Sequence, residues 1–448
     1  MPAPDQCWYF VFRRGLKLRD YSKADICVFR RCLCSSQIST ALFCVSQKCL
    51  LMLVLLVCED TNEGSATSAK FILPITKPRF GYNYHCFGNF YFSDTADLYA
   101  SQLKSKMKYK ILGSTGLKVS ALCLGTMNYG GKGFFGYMGN LDQTEVDEQI
   151  RTITDSGVNF IDTANIYSEG LSEEMIGQAI INLNLKRDDL VLATKVRGSM
   201  GKGENDRGLS RKHIIQSVEG SLRRLKTDYI DLYQIHTSDP LTPIEETIRT
   251  LDDLVRSGKI RYFGAANLAA WHLMKSLAYS DYHHLNRFAS LQANYTLDTR
   301  DIEREIIPLL TDQKLGLMVW SPLSGGLLSG KYRRDLQSEE GRLNGFPFKP
   351  FNEERAYNVL DVLYGMAEQK NVSVAQLALA WLLHQPSVTS IIIGATKLHQ
   401  LQDNLQSIDV VFTTDELKEL DTVSQLTKEY PGNVIELMTM DRSAGLDF

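Results

Sequence analysis

The sequence predicts an α/β fold, a closed (β/α)8 barrel, and three observations carry that prediction. Between Met107 and Leu426, eight short apolar runs alternate with stretches of helical periodicity. Several runs, such as Leu190-Val191-Leu192-Ala193, are continuously apolar, as strands buried on both faces are. A GxGxxG after the first strand, the mark of an open doubly wound sheet, is missing. Eight strand–helix repeats fit closure of the sheet.

Residues 108–112 and 118–124 read as a short hairpin turning at Ser114-Thr115-Gly116. The first barrel strand is expected from near Ser120 into Gly125. The glycine-rich stretch 130–139 lacks the lysine–serine ending of a phosphate loop and reads as a rim loop. A helix at 144–156 precedes strand two at 160–162. Ser172, with Glu173 and Glu174 behind it, signals the N-cap of a helix to 181. Strand three follows at 190–195. Ser210 caps a helix at 211–225, and strand four is 230–236. Pro243 opens a helix to 257, which Gly258 stops. Strand five is 260–265, then a helix at 269–279, strand six at 290–292, a helix at 302–312 and strand seven at 316–320. A long loop is expected over 321–351. Helices at 353–370 and 374–384, strand eight at 390–393, and helices at 397–405 and 414–426 complete the domain, with a loose end.

Residues 1–106 read differently. They hold eight of the nine cysteines and a basic excess, without a repeat or a consistent period. The apolar run 50–58 is too short to span a bilayer and too far from Met1 for a secretory signal. The cysteine spacing matches no zinc pattern. These residues are expected to be an N-terminal extension that is disordered or lies ahead of the true start at Met107, with 107–448 as the barrel domain. The net charge of −3 and 23% charged residues fit a soluble, cytoplasmic protein, with no nucleic acid, metal or membrane partner expected.

The chemistry is read from strand ends, because barrel catalytic groups come from the C-terminal ends of several strands. Asp162 closes strand two, Lys195 strand three and His236 strand four, and Tyr167 lies in the loop just past Asp162. A buried lysine requires a carboxylate partner, which Asp162 supplies. Its positive charge near Tyr167 favours the phenolate and makes the tyrosine a plausible general acid or base.

With these residues, the segments GVNFIDTANIYSEG, LVLATKV, DLYQIHTSD and VWSPLSGGLLSGKY resemble the aldo-keto reductases over Met107 to about Leu426. The resemblance implies NADPH-dependent reduction of aldehydes or ketones, with catalytic Asp162, Tyr167, Lys195 and His236. There the tyrosine protonates the carbonyl oxygen, lysine and aspartate tune it, and histidine orients the substrate. It also implies that Asn267 and Gln292 bind the nicotinamide carboxamide and that Trp320 stacks on its ring. Ser321, Leu323, Gly325 and Leu327 would cover the pyrophosphate. Gly394, Ala395, Thr396, Lys397, Gln400, Asp403 and Asn404 would hold the adenosine phosphate. Ala266 replaces a serine common in the family, and Gln400 stands near where many members have an arginine, so Lys397 is left as the cation for a 2'-phosphate. Tyr129, the 130–139 loop and the loop after Trp320 would wall the pocket. Phe134, Phe135, Phe346 and Phe348 would make it suit an aryl or long-chain carbonyl. Relatives that are potassium-channel β-subunits keep the same tetrad, so a regulatory subunit is the alternative reading.

Overall fold

The computed structural model describes residues 38–44, 51–59, 68–72, 90–91, 107–334 and 352–443. The chain divides into two units, Met1–Lys104 and Ser105–Phe448. In the first, strands Ile38–Cys44, Leu51–Glu59, Ser68–Ile72 and Phe90–Tyr91 pair antiparallel in chain order.

In the second unit, eight parallel strands close into a barrel. They are β1 (Leu122–Gly125), β2 (Phe160–Asp162), β3 (Val191–Val196), β4 (Ile230–Ile235), β5 (Ile260–Ala266), β6 (Ser290–Asn294), β7 (Gly316–Trp320) and β8 (Val388–Ile393). Each pairs with its sequence neighbours, and β8 returns to β1 through Ile391 opposite Leu122. The helices are α1 (Gln143–Asp155), α2 (Leu171–Asn182), α3 (Arg211–Leu225), α4 (Ile244–Arg256), α5 (Ala270–Tyr282), α6 (Ile306–Gln313), α7 (Glu353–Lys370), α8 (Val374–His384), α9 (Leu398–Leu405), α10 (Thr414–Ser424) and α11 (Gly432–Ser443).

Side-chain parity along the strands builds two cores. Cys123, Phe160, Val191, Ala193, Leu232 and Met318 fill the barrel interior. Their neighbours in sequence, including Leu122, Ile161, Leu192 and Tyr233, pack outward in the larger cluster with the helices. Burying a side chain such as Phe160 contributes about 3 kcal/mol. The hairpin Tyr109–Ile111 and Lys118–Ser120 adds the buried Leu112 and Val119 to the interior cluster.

Four details differ from expectation. Ser120 stays paired with Tyr109 in the hairpin, so β1 starts at Leu122. Gly170, not Ser172, occupies the N-cap of α2, and the buried Ser172 instead donates to the Thr126 carbonyl at 2.9 Å. The helix expected at 302–312 is a 3-10 turn, Asp301–Glu303, followed by α6. Pro308 falls in the first turn of α6, where its missing N–H is tolerated. The tail forms α11 rather than a loose end, although Ile435, Leu437 and Met438 are exposed on it. No helix among the described residues is long and apolar enough to cross a membrane, and no cluster there could hold a metal ion.

Met107 is buried against Gly157 and belongs to the barrel unit. We propose that residues 1–106 are dispensable for it. A chain beginning at Met107 is expected to match the full chain in thermal transition and in turnover per mole. A truncated chain that is insoluble or inactive, beside an active full chain, would contradict this.

Candidate active site

Parallel register brings the candidate side chains together at the C-terminal mouth of the barrel. Asp162 lies opposite Ala193, and Lys195 opposite Gln234. Asp162, Lys195 and Gln234 therefore point inward at adjacent strand ends. Lys195 is fully buried. Its Nζ donates to Asp162 Oδ2 at 2.5 Å, to the Thr163 carbonyl at 2.9 Å and to the Tyr167 hydroxyl at 3.3 Å. The other carboxylate oxygen, Oδ1, accepts from Gln234 Nε2 at 2.9 Å and Gln292 Nε2 at 3.0 Å. The charged pair is thus enclosed and fully hydrogen-bonded, the condition under which a buried ion pair is tolerated. Burial alone would lower the lysine pKa, but the charge of Asp162, helped by Tyr167, reverses this and leaves it raised. Lys195 is therefore an ammonium at neutral pH.

Tyr167 reaches this ammonium from a constrained turn, Tyr167–Gly170. Ser168 (φ 49°), Glu169 (φ 59°) and Gly170 (φ 97°) are all left-handed. For the two non-glycine residues this costs about 1–2 kcal/mol each. The turn is held from both ends. Ser168 Oγ donates to the Tyr129 carbonyl at 2.6 Å. Gly170 lies against Arg224, whose Cδ would stand 2.8 Å from an added Cβ. Arg224 Nε in turn donates at 2.7 Å to the fully buried Glu173, which also accepts from Thr194 at 2.6 Å.

His236 follows β4 directly, and its backbone N–H donates to the Val196 carbonyl at 2.9 Å. Its ring meets that of Tyr167 edge-on, with centroids 5.9 Å apart. Burial, then the charges of Lys195 and Arg197, lower its pKa to about 3. The imidazole is therefore neutral at neutral pH. On the other side, Phe135 tilts onto Tyr167 at 5.1 Å and Phe134 packs edge-on against Phe135. Tyr129 does not wall the pocket: it is fully buried between the barrel and α1, with its hydroxyl on Gln149. Phe346 and Phe348 lie outside the described residues.

The residues expected at the cofactor line β5 to α9. Asn267 (φ 52°) donates from Nδ2 to the His236 carbonyl at 3.1 Å, and its Oδ1 accepts from Trp320 Nε1 at 2.9 Å. Gln292 Nε2 is occupied by Asp162 and, at 3.3 Å, by Gln234. Ser321 (φ 50°), Ser324 (φ 51°), Gly325 and Gly326 make a tight left-handed loop, in which Ser321 Oγ accepts from the Gly325 N–H at 3.0 Å. Leu323 and Leu327 pack into the core beneath it. Gly394, Thr396 and Lys397 are exposed, and Lys397 is the N-cap residue of α9. Ala395 is buried, its carbonyl held by Asn128 and Gln149. Gln400 is half-buried in the first turn. Asp403 accepts from Ser373 Oγ at 2.6 Å and Gln376 Nε2 at 2.7 Å, bracing α9 against α8, and Asn404 is buried beside it.

Sequence reasoning missed Gln234, Arg197 and the Glu173–Arg224 brace. Strand parity was the available signal for the first two: Gln234 precedes His236 by two residues and Arg197 follows Lys195 by two. Nothing local marks the brace, whose partners lie 51 residues apart.

The depressed pKa of His236 has a testable sign. Between about pH 6.5 and 3 the unfolded chain binds a proton that the folded chain refuses, so this residue withdraws stability as pH falls through that window and has no effect above it. Its imidazole resonances, assigned with His236→Gln, should show no inflection between pH 5 and 8. An inflection near 6.5 would contradict the geometry.

The Aldo/keto reductase family profile matches residues 121–425. A 330-residue alignment with the "Probable voltage-gated potassium channel subunit beta" of Arabidopsis thaliana is 36% identical, covering 72% of this chain and 98% of that protein. The "Uncharacterized oxidoreductase YrpG" of Bacillus subtilis is 37% identical over 325 residues, 71% of this chain and 96% of its own. Norsolorinic acid reductase A of Aspergillus parasiticus is 34% identical over 329 residues, 72% of this chain and 82% of its own. With a closed parallel barrel and a buried Asp–Lys pair touching a tyrosine at its mouth, the chain belongs to the aldo/keto reductase family of NAD(P)H-dependent oxidoreductases.

Proposed function

We propose that the chain reduces aldehyde or ketone carbonyls to alcohols with NADPH, the proton coming from Tyr167. The observation that carries this is the 3.3 Å contact between the Lys195 ammonium and the Tyr167 hydroxyl. A phenol gives up its proton more readily beside a fixed positive charge. Asp162 keeps Lys195 charged and in place, and the braced turn keeps the hydroxyl on target. As the carbonyl π bond breaks, its oxygen gains charge and takes the Tyr167 proton. The neutral His236 ring, edge-on to Tyr167, supplies a hydrogen bond to the same oxygen. Such preorganised donors act where charge develops, in the transition state. Bound NADPH supplies the hydride that the carbonyl carbon receives.

The residues present fit that cofactor. Asn267 retains one amide hydrogen and an acceptor site on Oδ1 for the carboxamide, whereas Gln292 has only its Oε1 to offer. Trp320, whose indole N–H donates to Asn267, would stack on the nicotinamide ring. Ser321 and Gly325, left-handed on either side of Leu323, belong to a tight loop suited to the pyrophosphate. Exposed Lys397 and Thr396 at the start of α9 suit a 2'-phosphate, with Gly394 and Gln400 beside them, and favour NADPH over NADH. Phe135 against Tyr167 suits an aryl or long-chain substrate, in keeping with a relative named for reduction of norsolorinic acid.

The similarity to a channel β-subunit favours a second reading, a regulatory subunit that binds the cofactor. Turnover of an aromatic aldehyde by the isolated protein separates the two.

Tyr167→Phe should lower kcat about 100-fold or more, the usual worth of a positioned general acid. Its dissociation constants for NADPH and NADH, read by fluorescence quenching, should stay near wild type, with NADPH tighter. A variant retaining about a tenth of wild-type kcat would shift the proton donor to another group, His236 first.

A further inference from the structure

We infer that Arg197 is an anion-recognition residue on the substrate side of the mouth, and that carbonyl compounds bearing a carboxylate are the preferred substrate class. This rests on the reductase reading above and narrows it.

The β3–β4 register pairs Lys195 with Gln234 and Val196 with Ile235. Continued one step, it sets Arg197 beside His236, just above the catalytic lysine. The two side chains are close enough for the Arg197 charge to depress the His236 pKa. The backbone of Arg197 is held in an unusual conformation, φ 145°, with its carbonyl accepting from the Gly208 N–H at 2.9 Å. Its Nε donates to the Ser238 carbonyl at 3.3 Å, which fixes the guanidinium at the rim past β4. Among the described residues it forms no ion pair, and its two Nη groups donate to nothing. Asp239 feels the Arg197 charge but makes no ion pair with it, and its carboxylate instead accepts from the Leu209 and Leu241 N–H groups and from Thr242.

A half-buried guanidinium fixed by one nitrogen, with the other two open, presents the planar fork that carboxylates match. Its place in the barrel decides which ligand that is. The candidate cofactor residues lie on β5, β6, β7 and the segment after β8. Arg197 directly follows β3, on the side of the mouth that β2, β3 and β4 form with Asp162, Lys195 and His236, away from that arc. With Phe135 on the β1 side of Tyr167, the mouth offers an aromatic wall and a cation, the features of a site for an aryl aldehyde acid.

The test compares 4-carboxybenzaldehyde with its neutral methyl ester. Wild type should favour the acid in kcat/KM by about tenfold or more, the scale of a charge-assisted hydrogen bond. Arg197→Met should erase that preference chiefly through KM, losing far more on the acid than on the ester, and Arg197→Lys should restore part of it. Equal wild-type efficiencies, or equal losses on both substrates in Arg197→Met, would overturn the proposal. If wild type reduces neither aldehyde, the reductase reading fails by itself. Fluorescence titration with 4-carboxybenzyl alcohol against 4-methylbenzyl alcohol then still decides the anion preference, a tighter acid supporting Arg197 and equal binding refuting it. If Arg197→Met does not fold, the wild-type pair and Arg197→Lys decide.

Discussion

The site depends on one ammonium group with no access to water. Lys195 is buried completely, and burying an isolated charge costs several kcal/mol even after relaxation. The cost is offset only because Asp162 stands at the end of the neighbouring strand, 2.5 Å away, with its second oxygen held by two amides. That need ties four strands together, since β2, β3, β4 and β6 each contribute a member. The same low-dielectric setting leaves the remaining contact, to the Tyr167 hydroxyl, little screened by water. His236 belongs to the same field: two cations and burial keep its ring neutral.

Precision at the tyrosine comes from strain rather than from a strand. Three successive left-handed residues follow Tyr167, and such a turn persists only where its surroundings over-determine it. Here those surroundings are the Ser168 bond to Tyr129 on one side and Arg224 on the other. The charged brace behind Arg224 lies in the helix layer, outside the barrel. The helices therefore do more than cover the sheet, because one of their ion pairs stands behind the turn that carries Tyr167.

The barrel was legible because buried parallel strands leave continuous apolar runs, and the strand-end residues Asp162, Lys195 and His236 could be read where those runs stop. Boundaries slipped where a local signal competed with tertiary pairing. Ser172 has the chemistry of a cap, yet the chain enters α2 through a turn that needs a glycine at 170. Tyr129 looked like a rim aromatic, but the turn after β1 buries it, with its hydroxyl on Gln149 of α1. Gln234 and Arg197 were readable only by carrying inward parity from an assigned catalytic residue to its neighbours two positions away. The Glu173–Arg224 brace was not readable, because it depends on the packing of α2 against α3.

The most direct test of the central interaction is the pH dependence of kcat in Asp162→Asn, with folding checked by circular dichroism. Removing the carboxylate leaves Lys195 with burial as its dominant influence, and burial lowers a lysine pKa. The wild-type profile should show no ionisation of Lys195 below its ordinary range. The variant should lose turnover as pH rises through a new, lowered lysine pKa, while NADPH binding is retained. A variant profile superimposable on wild type would mean that the Asp162–Lys195 pair does not set the state of Tyr167, and the account would fail at its base.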